Sequence, residues 1–391
     1  MSEHKKDCQW EKTTSAECEY KETHHYCPHQ EHACNCNDLP DVEPSKRALL
    51  TGAGGFIGAH TLAHIMHNTD WHLVCVDSFR HKGKTDRIAE MLEAHPDWRE
   101  RTTIITHDLA APFSEQMIHR IGHIDHIVNM ASESHVDRSI DDPVPFIENN
   151  VALTLNVLEY ARTIWDLRNG NTTAPEGSVF VQISTDEVYG AAPVADHPEW
   201  DVILPSNPYS ASKASQEAIA ISYWRTFGLP LVITNTMNNF GEMQDPEKFV
   251  PMLIKGIYEG KDVTIHGNDE YIGSRFYLHA RNHADAMLFL INRGTPTKYV
   301  DNNEIVFPDR FNVVGDTEKN NLELAQEIAE LVGKDLIYHL EDFHSTRPGH
   351  DRRYALDGSK LFALGWQPPI SFKESIAKTV EWTLENKQWM L

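Results

Sequence analysis
Six short apolar runs, separated by segments of helix length, constrain this chain more than any other feature. They are Ala48–Leu50, Leu73–Val76, Thr103–Thr106, His126–Asn129, Val179–Ile183 and Leu231–Thr234. Strand-then-helix alternation repeated in this way predicts an α/β fold, a doubly wound parallel sheet covered by helices on both faces. In such folds ligands bind beyond the carboxyl ends of the strands. After about residue 240 the pattern turns irregular, with helices predicted over Leu322–Val332 and Phe372–Asn386. That last third is the natural cover for the ligand-binding edge.

Residues 1–45 differ from the rest. They hold ten acidic residues and five histidines and end in a proline-punctuated stretch, so they read as a disordered acidic tail unable to bury a core. Five of the six cysteines lie in the first 36 residues, and only Cys75 lies in the body, which excludes a disulfide framework for the fold. A zinc site from Cys27, His29, His32, Cys34 and Cys36 is the rival reading. Cys34 and Cys36 are closer together than the usual Cys-x2–4-Cys pairing, and no metal is expected. The net charge of −23 argues against nucleic acid or an anionic membrane as partner. It also requires a local basic cluster wherever an anionic substrate binds. Without a signal peptide or an apolar run near the ~20 residues of a membrane span, a cytoplasmic location is expected.

The first strand runs into Thr51-Gly52-Ala53-Gly54-Gly55-Phe56-Ile57-Gly58 ahead of a helical segment. Gly52 suits the tight turn, Gly55 lets backbone approach a pyrophosphate, and Gly58 lets helix pack on strand. The helix N-terminus then offers N–H groups to phosphate. The second strand ends at Asp77, where a carboxylate can accept hydrogen bonds from both ribose hydroxyls and repel a 2′-phosphate. The expected cofactor is therefore NAD, although Arg80 nearby carries the opposite charge. Residues 46–240 are read as the Rossmann-type NAD-binding domain. Residues 241–391 are read as a mainly substrate-binding region interleaved with the sheet.

The fifth strand ends in Ser184-Thr185-Asp186-Glu187-Val188-Tyr189-Gly190, and Tyr209-Ser210-Ala211-Ser212-Lys213 follows. Tyr209 and Lys213, four apart, share a helix face, and the lysine charge is expected to lower the tyrosine pKa toward that of a usable base. Asp186 and Glu187 side by side could be a solvated turn or a helix cap. At the active edge of a buried strand they instead suit a pair in which one carboxyl stays protonated and the other ionised, and eliminating water needs both an acid and a base.

At these motifs the chain resembles an extended short-chain dehydrogenase/reductase, specifically the dTDP-glucose 4,6-dehydratases. The likeness spans about residues 46–391 and includes Glu133–Ser139, Pro246-Glu247-Lys248 and the basic run Arg347–Tyr354. It implies a lyase of deoxysugar biosynthesis that oxidises a nucleoside-diphosphate glucose at carbon 4. Water is then eliminated across carbons 5 and 6, and hydride returns to carbon 6. By resemblance Thr185 binds the 4-hydroxyl, Tyr209 is the base for oxidation supported by Lys213, Asp186 is the acid at carbon 6, and Glu187 is the base at carbon 5. Asp108, Leu109, Ala131, Ser132 and Asn150 match positions lining the NAD site. His135, Asn238, Lys248, Arg275, Asn312, Arg347 and His350 match positions around the nucleotide sugar.

The departures are Asn238-Asn239-Phe240-Gly241-Glu242 where Asn-Asn-Tyr-Gly-Pro is usual, Arg275-Phe276-Tyr277 where Arg-Asp-Trp is usual, and His279 where tyrosine is common. They are expected on the nucleotide side of the pocket. The rival readings are a 4-epimerase or decarboxylase, which needs no acid/base pair beside Thr185, and a non-catalytic binding protein, which would not need Tyr209 and Lys213. A homodimer through the helices at about 144–166 and 209–227 is also expected, with Ala211, Ala214 and Ala218 allowing close approach.

Overall fold
Successive residues of the central strands enter opposite hydrophobic layers. β1 (Arg47–Thr51) sends Ala48 and Leu50 to one layer and Leu49 to the other. β2 (His72–Asp77) sends Leu73 and Cys75 one way, Val74 and Val76 the other. With both faces buried, the strands appear in sequence as unbroken apolar runs. The computed structural model describes residues 45–80, 82–167, 174, 176–294, 307–342 and 351–390. The cysteine- and histidine-rich tail, with its rival zinc ligands, lies outside the described residues.

The sheet continues with β3 (Thr102–Thr106), β4 (His126–Asn129), β5 (Val179–Thr185) and β6 (Leu231–Thr236). The chain then forms β7 (Asn238–Phe240), β8 (Val263–His266) and β9 (Ser274–His279) before returning to the sheet as β10 (Asp309–Val313). The seven parallel strands stand in the order β3-β2-β1-β4-β5-β6-β10. This is the Rossmann order with one strand added, and its switch point lies between β1 and β4.

The helices that matter for the site are α1 (Phe56–Asn68), α2 (Thr85–Ala94), α3 (Glu115–Ile121), α4 (Val136–Asp141), α5 (Pro143–Ile164) and α6 (Pro208–Phe227). They are followed by α7 (Phe249–Glu259), α8 (Ala280–Asn292) and α9 (Asn321–Val332). The C-terminal third is more regular than its sequence suggests. β9 pairs with β7, β11 (Glu318–Asn320) and, beyond β12 (Tyr338–Glu341), β13 (Arg353–Tyr354). A third core forms where α7, α9 and the helix Phe372–Glu385 bury Leu253, Ile254, Leu324, Ile328, Ile376 and Val380.

β10 escaped the sequence reading because Arg310 and Asn312 interrupt its apolar run. Arg310 is fully buried and pairs with the equally buried Glu217 of α6 at 2.6 Å. Its guanidinium also donates to Tyr189 Oη at 3.2 Å and to the Glu199 carbonyl at 3.0 Å. This network ties the last strand to the helix that carries Tyr209 and Lys213. No helix among the described residues is long and apolar enough to cross a membrane.

Candidate active site
A cleft of about 660 Å³ runs along the carboxyl edge of the sheet, from Asp77 past Thr185 to His266. At one end lies the glycine turn. Gly52 has φ +72°, and a Cβ there would sit 2.9 Å from the Ala131 backbone. Gly55, the N-cap of α1, provides no side-chain cap, so the first-turn N–H groups remain available to an anion. Asp77 Oδ2 accepts from Gly54 N at 2.9 Å and Oδ1 from Phe79 N at 2.8 Å, which fixes the carboxylate at the tip of β2. Arg80 is turned to Asp108 at 2.9 Å rather than to Asp77. Phe56, Ile57, Gly58, Asp108, Leu109, Ala131 and Ser132 complete this wall. The cradle and the acidic strand tip fit a dinucleotide whose ribose hydroxyls are free.

Asn150 does not line the cleft, a correction to the expectation for it. It is fully buried on α5, and its amide grips Glu133 N at 2.8 Å, Glu133 O at 3.1 Å and Ser212 Oγ at 2.8 Å. It shapes the wall from behind.

Thr185, Glu187, Tyr209 and Lys213 all face the cleft midway along it. Asp186 is set one layer back, 2% exposed, its Oδ1 accepting from Thr185 Oγ1 at 2.8 Å. Its Oδ2 has no hydrogen-bond partner among the described residues. Burial pushes the Asp186 carboxyl up to about 6, against the Thr185 hydrogen bond and the Arg275 charge. Glu187 faces another environment, its Oε2 accepting from Asn207 Nδ2 at 3.1 Å. The two carboxylates are thus drawn apart by different partners.

The expected lowering of the Tyr209 pKa by Lys213 is not found, a correction whose reason is burial. Lys213 Nζ donates to the Ile183 carbonyl at 2.7 Å, and burial lowers the ammonium to about 8 against the pull of Glu217. The Tyr209 phenol is pushed above the ordinary tyrosine range by burial and then by Glu187 and Asp186, while its hydrogen bond with Thr185 opposes the rise.

Toward the far end, His135, Asn238, Lys248 and Arg275 line the cleft. Arg275 donates to the carbonyls of Ser274 at 2.7 Å, Arg352 at 2.8 Å and Asp351 at 2.6 Å, and lies over the Tyr354 ring. It therefore organises the basic C-terminal segment besides contributing charge. Arg347 and His350 lie outside the described residues. Asn312 is placed elsewhere, again a correction. Buried in β10, it spends its amide on the carbonyls of His197 at 2.9 Å and Asp357 at 3.0 Å.

Sequence reasoning passed over Glu247, which lines the cleft and pairs with Lys82 at 2.8 Å and Arg138 at 3.1 Å. It stood inside the quoted Pro246-Glu247-Lys248, the one available signal. Tyr277, Asn321 and Tyr354 also line the cleft. Of the departures, Phe240, Glu242 and His279 fall behind the cleft wall rather than on the nucleotide side. His279 Nε2 meets Glu242 Oε2 at 2.9 Å in a buried contact against His60 of α1.

A Rossmann sheet with its glycine turn, acidic β2 tip and Tyr209/Lys213 helix defines a nucleotide-binding protein of the extended short-chain dehydrogenase type. Residues 49–379 match the family described as GDP-mannose 4,6 dehydratase, and the chain belongs to that family. It is 35% identical over 360 residues to the dTDP-glucose 4,6-dehydratase of Shigella flexneri, covering 88% of this chain and 94% of that one. The Salmonella typhimurium dTDP-glucose 4,6-dehydratase is 36% identical over the same shares. Among solved structures, the Streptomyces venezuelae dTDP-glucose 4,6-dehydratase with NAD and TYD bound superposes with a TM-score of 0.73 at 30% identity, covering 88% of this chain and 98% of that one. A Thermus thermophilus UDP-glucose 4-epimerase in complex with NAD reaches 0.69 at 25% identity, covering 86% and 98%. The fold is thus common to dehydratases and epimerases, and only the site can separate them.

Proposed function
We propose that the protein is an NAD-dependent 4,6-dehydratase of a nucleoside-diphosphate glucose, with dTDP-glucose the first substrate to test. The observation that carries this reading is the divided carboxylate pair. Asp186 is buried, raised to about 6 and left with one unpartnered oxygen, whereas Glu187 faces the cleft. An epimerase has no need of such a pair. When bound, NAD supplies the reversible hydride chemistry that oxidation at carbon 4 and reduction at carbon 6 require.

The protein's own residues do the rest. Thr185 and Tyr209 hold the 4-hydroxyl, and Tyr209 is the base for its proton, a role that requires the loaded site to bring the phenol down from its raised value. Lys213, anchored to the Ile183 carbonyl, keeps a positive charge under that centre. A ketone at carbon 4 acidifies the carbon-5 hydrogen, and Glu187 removes it as a proton. Asp186 Oδ2 carries the proton that leaves with the 6-hydroxyl as water. With hydride returned to carbon 6, Glu187 gives its proton back to carbon 5, and the product is a 4-keto-6-deoxy sugar. Arg275 and Lys248 oppose the diphosphate charge within an otherwise acidic protein, and we propose that Arg347 and His350 join them.

Incubation with NAD and a panel of nucleotide-glucoses, read by mass spectrometry, should show loss of one water. Substrate deuterated at carbon 4 should deliver its label to carbon 6 of the product. Return of the label to carbon 4 with inverted configuration would make the protein an epimerase and overturn the roles given to Asp186 and Glu187.

A further inference from the structure
The N-cap of α6 stands between two reacting groups. Asn207 Oδ1 accepts from Ser210 N at 2.9 Å, and Asn207 N donates to Ser210 Oγ at 3.2 Å, which closes a capping box. The other half of the same amide, Nδ2, donates to Glu187 Oε2 at 3.1 Å. Pro208 follows at the first helical position with its φ fixed, and Tyr209 comes next, its backbone N–H held by Ser139 Oγ at 3.1 Å. The side chain of Asn207 is buried, 6% exposed.

We infer that Asn207 is a positioning residue that locks the Glu187 carboxylate to the helical turn carrying Tyr209, an inference that rests on the dehydratase reading above. The reaction needs one group aimed at the 4-hydroxyl proton and another aimed at the adjacent carbon-5 hydrogen. Glu187 leaves the end of β5 and Tyr209 enters from α6, so their spacing depends on what joins strand to helix. Asn207 joins them through one planar amide with an acceptor on one side and a donor on the other. Aspartate caps a helix equally well but offers Glu187 a charge of its own sign. Serine caps too, but has no amide donor to reach the carboxylate.

The groups around Glu187 set the expected sign. Asp186 adjoins it on the same segment, with Arg275 of β9 beside Asp186, while Tyr209 of α6, Lys248 before α7 and Tyr354 of β13 all feel its charge. Losing the amide donor removes a stabiliser of the ionised carboxylate, and adding a carboxylate opposes ionisation further, so both changes raise the pH at which Glu187 becomes a base.

The test is kcat and KM for water loss from dTDP-glucose with NAD, across pH, in wild type, Asn207→Asp and Asn207→Ser. Asn207→Asp should move the acidic limb of kcat upward by on the order of one pH unit. On the acidic side of that limb it should cost about tenfold in kcat, recovered at higher pH, with KM nearly unchanged. Asn207→Ser should move the limb the same way by less. Melting temperatures should stay close to wild type, because all three residues are good N-caps. Should Asn207→Asp not fold, the Asn207→Ser limb decides alone. Profiles superimposable on an active wild type overturn the role of Asn207 and leave the proposed function standing. A wild type that removes no water from any nucleotide-glucose overturns the proposed function itself.

Discussion

Replacing Asp186 by asparagine should make the protein more stable and less active, with the stability gain confined to one side of a pH window. The carboxyl rises from its ordinary 3.8 to about 6 because burial disfavours the charged form. That is about two pH units at about 1.4 kcal/mol each, so roughly 3 kcal/mol in all. In the unfolded chain Asp186 loses its proton near its ordinary value, and in the folded protein only near 6. Its full contribution to stability is therefore present below about pH 4 and is lost as pH rises through about 6. Asparagine cannot titrate and keeps the shape. In urea denaturation Asp186→Asn should gain on wild type by up to roughly 3 kcal/mol between pH 4 and pH 8, while water elimination falls by ~10²–10⁴. If the difference in unfolding free energy between variant and wild type is the same at both pH values, Asp186 is not the buried, proton-bearing member of the pair.

Three further outcomes are expected. Arg87 of α2 is fully buried, donating to the carbonyls of Met243 at 3.0 Å, Gly54 at 3.0 Å and Lys82 at 2.7 Å and pairing with Asp245 at 3.1 Å. Arg87→Met would leave Asp245 buried without its partner and should cost about 3–5 kcal/mol, which an unchanged melting temperature would refute. Direct titration should show NAD binding in preference to NADP because of Asp77, and tighter NADP binding would overturn that. Val144, Ile147 and Leu155 lie 58%, 40% and 42% exposed along one stripe of α5, which packs against α6, the helix that carries Ala211, Ala214 and Ala218. We expect a homodimer through this face, and a monomer by light scattering at micromolar concentration would refute it.

The parts of the fold that were legible in the sequence are those whose burial is uniform. Strands covered on both faces must be apolar throughout, so β1, β2, β4, β5 and β6 announced themselves, while the partly exposed edge strand β3 was read from its run Thr103–Thr106. The glycine turn followed from the close approach of Ala131 to Gly52. β10 did not, since it buys entry to the core with the Arg310–Glu217 pair, and a buried charge looks like a surface charge until its partner is known. The same ambiguity governed the asparagines. Asn238 lines the cleft, while Asn150 and Asn312 use equivalent amides to hold backbone, and residue type alone cannot separate these uses. For the carboxylates, sequence identified the pair but not the environments that divide it. Thr185, Arg275 and Asn207 reach Asp186 and Glu187 from three separate segments. The Asn207-Pro208 start of α6 was a readable cap signal, but its second bond, to Glu187, required the tertiary structure.

The departures from the family pattern show how two unfavourable residues become tolerable together. Burial alone pushes the Glu242 carboxyl up, yet the hydrogen bond from His279 and the charges of His279, His60 and Arg281 outweigh it and hold the group well below the usual carboxylate range. His60 is lowered to about 4 by burial, against the pull of Glu242, and its Nε2 contacts the Glu242 carbonyl at 2.9 Å. A glutamate here without the histidine would be a buried charge lacking its principal partner, which costs several kcal/mol, so the two departures make sense only as a pair. Because that pair is satisfied behind the wall, it leaves the cleft surface untouched. Tyr277 is different: it stands where tryptophan is usual, lines the cleft, and brings its hydroxyl to 3.5 Å from Asn321 Oδ1. A phenol and an amide can each both donate and accept a hydrogen bond there, whereas an indole could only donate. The Glu242–His279 pair thus bears on the packing of α1, whereas Tyr277 and Asn321 present their polar groups to the cleft.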